Sequence, residues 1–122
     1  MLNLDTNIVV FFLTGSLRRD ERRALDDDSD WAISAIVLWE LAQLELLRRV
    51  TFRFDSPDVV DLLERVQVLP ITIEIARASQ RLDFESDPAD EIIAATSIVH
   101  RAPLVTRDDR MLRSRMVPLA LG

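Results

Sequence analysis

The chain contains no cysteine and no lysine, and its 122 residues include only two glycines and one histidine. Without cysteine, disulfides and thiolate chemistry are excluded, and a bound metal has to be held mainly by oxygen. Without lysine there is no Schiff base, no phosphate-loop lysine and no lysine of a phospho-receiver domain; all fifteen cationic side chains are arginine. The two glycines, Gly15 and Gly122, rule out a glycine-rich phosphate loop and imply few tight turns, which favours a helix-rich domain. The single histidine, His100, cannot support a histidine-based hydrolase, and at a helix end it suits the C-terminal dipole. No apolar run approaches the roughly 20 residues of a membrane span. The start shows no basic stretch followed by an apolar run and a cleavage site, so a cytoplasmic protein without membrane contact is expected.

Hydrophobic residues make up 48% of the chain, enough for one domain over residues 1–122 with a single core. Twenty-one acidic against fifteen basic residues give a net charge of -6, which opposes nucleic-acid binding through overall charge. Bound cations and a local basic strip can offset that field. Strands are expected over Leu2–Leu4, Trp31–Ser34, Val68–Leu69 and Leu104–Val105, with an edge strand at Val117–Leu119. Helices are expected over Ile8–Leu13, Leu17–Asp27, Ala35–Arg49, Pro57–Val66, Thr72–Leu82, Asp87–His100 and Asp108–Arg113. This alternation implies an α/β fold, a parallel sheet with helices on both faces. Ligands on such sheets bind outside the carboxyl ends of the strands.

Asp5 and Asp108 each follow an apolar strand at that edge. Both also suit helix capping: Asp5 or Thr6 before the first helix, and Thr106 with Asp109 three residues on as a capping box. Glu40 is harder to explain as structure. At about 100° per residue its nearest neighbours around the helix are Ile36, Leu44 and Leu47, and a carboxylate on an apolar stripe is costly unless paired. Glu45 falls on the far side, as a solvated acid should. In DPADEII, Asp87 reads as an N-cap, Pro88 as the first helical residue, and Asp90 as a third-position acid pointing toward the ligand edge. Glu91 suits the helix dipole. Asp5, Glu40, Asp90 and Asp108 can therefore meet at one edge of the sheet. Two carboxylates about 4 Å apart repel by about 4 kcal/mol at an effective dielectric of about 20, so four require cations or protonation. Oxygen-only anionic ligands suit Mg²⁺ or Mn²⁺, and such ions activate water against a phosphodiester.

The segments LDTNIVV, SAIVLWELAQL, DPADEIIAATSIVH and PLVTRDDRML, in this order and over most of the chain, resemble PIN-domain proteins, most closely the VapC toxins of type II toxin–antitoxin systems. Each motif is short, but the ordered set is specific. The resemblance implies a three-layer α/β/α fold and a Mg²⁺- or Mn²⁺-dependent endoribonuclease acting on RNA. It also implies a homodimer inhibited by a cognate antitoxin. The family's acids fall on Asp5, Glu40, Asp90 and Asp108, with Asp109 as an alternative for the last. Thr106 would be the hydroxyl near the fourth acid, and Thr6 would support Asp5. The chain departs from many members at Glu91, where they carry arginine.

Trp31 and Trp39 are expected to pack; a stacking role for Trp39 requires exposure beside the acids. Arg48, Arg49 and Arg53 follow the Glu40 helix and read as a solvated face, with RNA phosphate as the functional alternative. Surplus apolar residues on the Ala35–Leu47 and Pro57–Val66 helices suit a dimer surface or a groove for an antitoxin helix. The alternative function is a catalytically silent binding module using that helical surface.

Overall fold

The computed structural model describes residues 1–121. Its sheet is wholly parallel, with strands β1 (Leu2–Leu4), β2 (Trp31–Ser34), β3 (Gln67–Leu69) and β4 (Leu104–Val105) in the order β3-β2-β1-β4. Helices α1 (Thr6–Leu13) and α2 (Arg19–Asp27) join β1 to β2, and α3 (Ala35–Leu46) and α4 (Pro57–Arg65) join β2 to β3. Helices α5 (Ile73–Ser79) and α6 (Pro88–His100) lead back to β4, after which comes α7 (Asp109–Arg113).

The first two connections move outward from β1, whereas the third returns across the sheet. Parallel crossovers are right-handed, so the reversal sends α5 and α6 to the opposite face from α1, α2 and α4. Side-chain contacts agree. Trp31 on β2 donates its indole N–H to the Leu25 carbonyl of α2 at 3.0 Å. Its ring meets Phe12 of α1 edge-on at 5.5 Å and lies 3.6 Å beneath the Arg65 guanidinium of α4. Asn3 on β1 points to the other face, where its Nδ2 donates to the Ile93 carbonyl at 3.2 Å and to Ser97 Oγ at 2.9 Å, both on α6. This alternation follows from the two-residue period of a strand. Small buried residues on α6, Ala94, Ala95 and Ser97, let that helix lie close to the sheet. On the opposite face Leu4, Ile8, Val9, Leu25 and Ile33 are buried, each such side chain contributing about 1.5–3 kcal/mol.

Several boundaries differ from the sequence expectation. Helix α3 stops at Leu46, not Arg49, because Arg48 adopts a left-handed backbone with φ 54°. The Arg49 amide then donates to the Leu44 carbonyl at 2.9 Å, which closes a Schellman turn. Arg101 ends α6 in the same way, at φ 53°. Scarce glycine therefore does not mean scarce turns: arginine takes positions that glycine would occupy at about 1 kcal/mol less strain. Arg48→Gly is expected to stabilise the fold by about 0.5–1 kcal/mol, read as a higher melting temperature; an unchanged or lower one contradicts this.

Helix α1 begins at Thr6, two residues earlier than expected, and α5 ends at Ser79 instead of Leu82. The expected Val117–Leu119 strand does not form. A single parallel bridge joins Leu104 to Leu119, with the Leu104 amide on the Pro118 carbonyl at 2.8 Å. Pro118 has no N–H with which to extend a ladder. Among the described residues no helix is long and apolar enough to cross a membrane.

Candidate active site

The strand order reverses at β1, and in open parallel sheets the crevice beyond the strand ends at such a reversal is the usual ligand position. Leu4 of β1 pairs with Val105 of β4, so the next residues, Asp5 and Thr106, stand side by side at that crevice. Asp5 is 3% exposed. Its Oδ1 accepts the Thr6 amide at 2.8 Å and its Oδ2 accepts the Thr106 hydroxyl at 2.7 Å. Capping of α1 and a place in the crevice thus come from one geometry. Burial, reinforced by the charges of Glu40 and Asp108, raises the Asp5 carboxyl to about 6 against the two hydrogen bonds.

The two threonines do not divide their work as expected. The Thr106 hydroxyl steadies Asp5 and accepts the Asp108 amide at 3.0 Å. The Thr6 hydroxyl instead donates to Glu40, leaving only its amide for Asp5. Strand pairing brings Thr106 to Asp5, whereas Thr6 stands at the start of α1, in reach of α3. Nor does Thr106 cap α7. Asp108 does, its Oδ1 accepting the Arg110 and Met111 amides at 2.9 and 3.2 Å.

Glu40 also departs from its expected setting. The core face of α3 carries Val37 and Leu41, while Ile36 and Leu44 are half-buried and Leu47 is exposed. The stripe around Glu40 is therefore the wall of an open cleft. Partial burial, with the Asp90 and Asp87 charges adding, raises the Glu40 carboxyl; the Thr6 hydroxyl opposes this.

Asp90 is the third residue of α6, and its amide donates to Asp87 Oδ1 at 2.9 Å. Its own Oδ2 accepts the Ser86 hydroxyl at 2.9 Å. Burial, reinforced by the Asp5, Asp87 and Asp108 charges, raises Asp90 to about 6. Glu91 turns away, accepting the Ser86 amide at 3.3 Å, which removes its charge from the cleft.

All four acids line one cleft of about 410 Å³, together with Thr6, Asn7 and Asp87. Asp108 lines it, whereas Asp109 is exposed on α7 and outside it. Every ligating atom offered is oxygen, the donor set of a hard divalent cation. Among the described residues no three acids are drawn together into a finished cation cage. Each is tethered separately, Glu40 by Thr6, Asp90 by Ser86 and Asp108 by two amides. Each of these tethers engages one oxygen of its carboxylate, whereas both oxygens of Asp5 accept hydrogen bonds, from Thr6 and Thr106.

Four features of the site were not legible in the chain. Ser86 and Asp87 enter it beside the acid they precede, and Asn7 enters from the first turn of α1. Trp39, expected to pack, is 57% exposed and lines the cleft, as does Arg49; Trp31 packs as expected. Arg53 instead approaches Asp55 at 3.5 Å. Arg107, between Thr106 and Asp108, donates Nε and Nη2 to Glu21 at 2.7 Å each and lies 3.8 Å over Phe11. This clamp holds the β4–α7 loop against α2, and the Arg107 hydrogen bonds hold the Glu21 carboxyl below its usual range. Nothing in the pattern pairs residues so distant in sequence.

A parallel sheet with acids gathered at its reversal point defines a class, and the chain belongs to the PIN-domain family, whose model matches residues 3–115. It is 35% identical over 99 residues to Ribonuclease VapC22 of Mycobacterium tuberculosis, a match covering 79% of this chain and 75% of the relative. Among solved structures it is similar to a toxin–antitoxin complex from Klebsiella pneumoniae, with TM-score 0.71, 24% identity, and coverage of 100% of this chain and 99% of that one. It is also similar to VapBC2 from Rickettsia felis bound to a promoter DNA fragment, with TM-score 0.74, 22% identity, and coverage of 98% and 97%.

Proposed function

We propose that this protein is a divalent-cation-dependent endoribonuclease and the toxin partner of a toxin–antitoxin pair. The observation that carries the reading is the meeting of Asp5, Glu40, Asp90 and Asp108 in one cleft, two of them raised to about 6 by burial and mutual repulsion. These acids would hold Mg²⁺ or Mn²⁺, with Thr106 orienting Asp5 and Thr6 orienting Glu40. The bound cation supplies charge compensation and a more acidic water for attack on phosphorus. The chain's own contribution is position: tethered carboxylates around a cleft whose floor, at Asp5, excludes solvent.

The relative named as a ribonuclease supports RNA as the substrate, and the toxin–antitoxin neighbours support a protein inhibitor. Apolar side chains left exposed at the end of α3 and on α5, Leu46, the capping Leu47 and Ile73, are suited to the antitoxin and to a second copy of the chain in a homodimer. The open arrangement of the acids favours one competing reading, a silent PIN module whose cleft never closes on a cation.

Incubation of chelator-stripped protein with single-stranded RNA separates the two. Cleavage is expected only after Mn²⁺ or Mg²⁺ is restored, and Asp108→Asn is expected to lower it on the order of 100-fold or more. Asp109→Asn is expected to cleave at the wild-type rate. Metal-independent cleavage, or equal loss in both variants, contradicts the site; no cleavage with either metal favours the silent module.

A further inference from the structure

We propose that Trp39 is a stacking platform for one unpaired base of the substrate, with Arg49 receiving the adjoining phosphate. The inference rests on the ribonuclease reading and assigns how its cleft grips a strand. The two tryptophans of the chain make the contrast. Trp31 is 2% exposed and its indole N–H and ring are both engaged by neighbours. Trp39 is 57% exposed, and among the described residues its ring has no aromatic or cation–π partner and its N–H no hydrogen bond. An indole more than half exposed forgoes much of the burial that normally stabilises it.

Its location indicates what covers it. Trp39 directly precedes Glu40 and lines the same cleft as Asp5, Asp90 and Asp108, where it is the single aromatic. A strand laid across those acids passes Trp39. Arg49 is the single cation lining that cleft, and among the described residues it forms no ion pair. The left-handed turn at Arg48 places it there. In a chain of net charge -6, one arginine lining the same cleft as an exposed indole is the local cation a phosphate backbone needs. Stacking on an aromatic face tolerates every base, and it requires an unpaired one. The same surface therefore selects single strands over duplex.

The test uses the full chain and a short unstructured oligoribonucleotide. In the Asp90→Asn background, expected to hold RNA without cutting it, RNA should quench the tryptophan emission. The quench should vanish in Trp39→Phe, whose remaining fluorophore is the buried Trp31; unchanged Trp31 emission also reports that the fold is intact. In the otherwise wild-type chain, Trp39→Ala should raise KM about 10- to 100-fold, the range for loss of one base–aromatic stack, with a much smaller change in kcat. Trp39→Phe should recover most of that loss. An abasic nucleotide at the stacking position should weaken binding to the wild-type chain and leave Trp39→Ala unaffected.

Absence of quenching, equal sensitivity of both proteins to the abasic site, or a fall in kcat at constant KM overturns the proposal. Quenching that survives Trp39→Phe overturns it as well. Quenching by an RNA that the wild-type chain never cuts with any metal supports the platform while overturning the ribonuclease reading, so the two failures are distinguishable.

Discussion

Asp5→Asn is expected to abolish cation-dependent RNA cleavage, by about 10³-fold or more, and at the same time to make the folded protein more stable. The two effects have one cause. Asp5 is held at 3% exposure with its carboxyl raised to about 6 from an ordinary value of 3.8. Keeping it charged at neutral pH therefore destabilises the cation-free fold on the order of 3 kcal/mol. Asparagine is nearly the same shape and carries no charge. It keeps an acceptor for the Thr6 amide and offers an N–H to the Thr106 hydroxyl, so a net gain of about 1–2 kcal/mol remains after imperfect bonding. Chemical denaturation at pH 7.5 in the presence of chelator measures the gain. A variant that is inactive but less stable would point to a purely structural Asp5, and a stable, fully active one would remove it from the site.

Lowering the pH from 7.5 to 5 should stabilise the cation-free protein and weaken its hold on Mn²⁺. In the folded chain Asp5 and Asp90 bind protons up to about pH 6, whereas in the unfolded chain they release them near pH 4. Between those limits the folded state carries more protons, so stability increases as pH falls through about 6 and levels off near 4. Glu21 has the opposite sign. Its carboxyl is held below the usual range by Arg107, and its contribution is lost only at still lower pH. Cation binding needs the charged carboxylates and therefore releases protons in the same window. With two groups titrating, apparent Mn²⁺ affinity should drop by up to about 100-fold per pH unit below 6. Melting temperatures in chelator and in excess Mn²⁺ should thus converge as pH falls; parallel curves contradict the assignment.

The strands and the sheet edge were readable because they rest on local pattern: short, largely apolar stretches at Leu2–Leu4 and Leu104–Val105, followed within three residues by Asp5 and Asp108. Asp87 as a cap before Pro88 was likewise readable from capping chemistry, whereas the choice of Asp90 as the site acid rests on its place in the first helical turn and on the PIN-domain resemblance. The PIN-domain resemblance, carried by the ordered motifs, agrees with the family match over residues 3–115. What the chain concealed depends on pairings across the fold. Thr106 meets Asp5 only because β1 and β4 are neighbours in register. Glu40 lies on an apolar stripe in projection, yet the cleft, not the core, covers that stripe. The early stop of α3 rests on a left-handed arginine, a conformation that residue type does not announce. Arg49, just past that stop, lines the cleft that Trp39 also lines. The exposure of Trp39 does not follow from its spacing on the helix.

Calorimetric titration of Mn²⁺ into the wild-type chain and into Asp5→Asn, at pH 7.5, tests most directly whether the four acids form a cation site. Saturable binding below millimolar metal is predicted for the wild type, and its loss in Asp5→Asn. No binding by the wild-type chain at millimolar Mn²⁺, or equal binding by both proteins, would contradict the account.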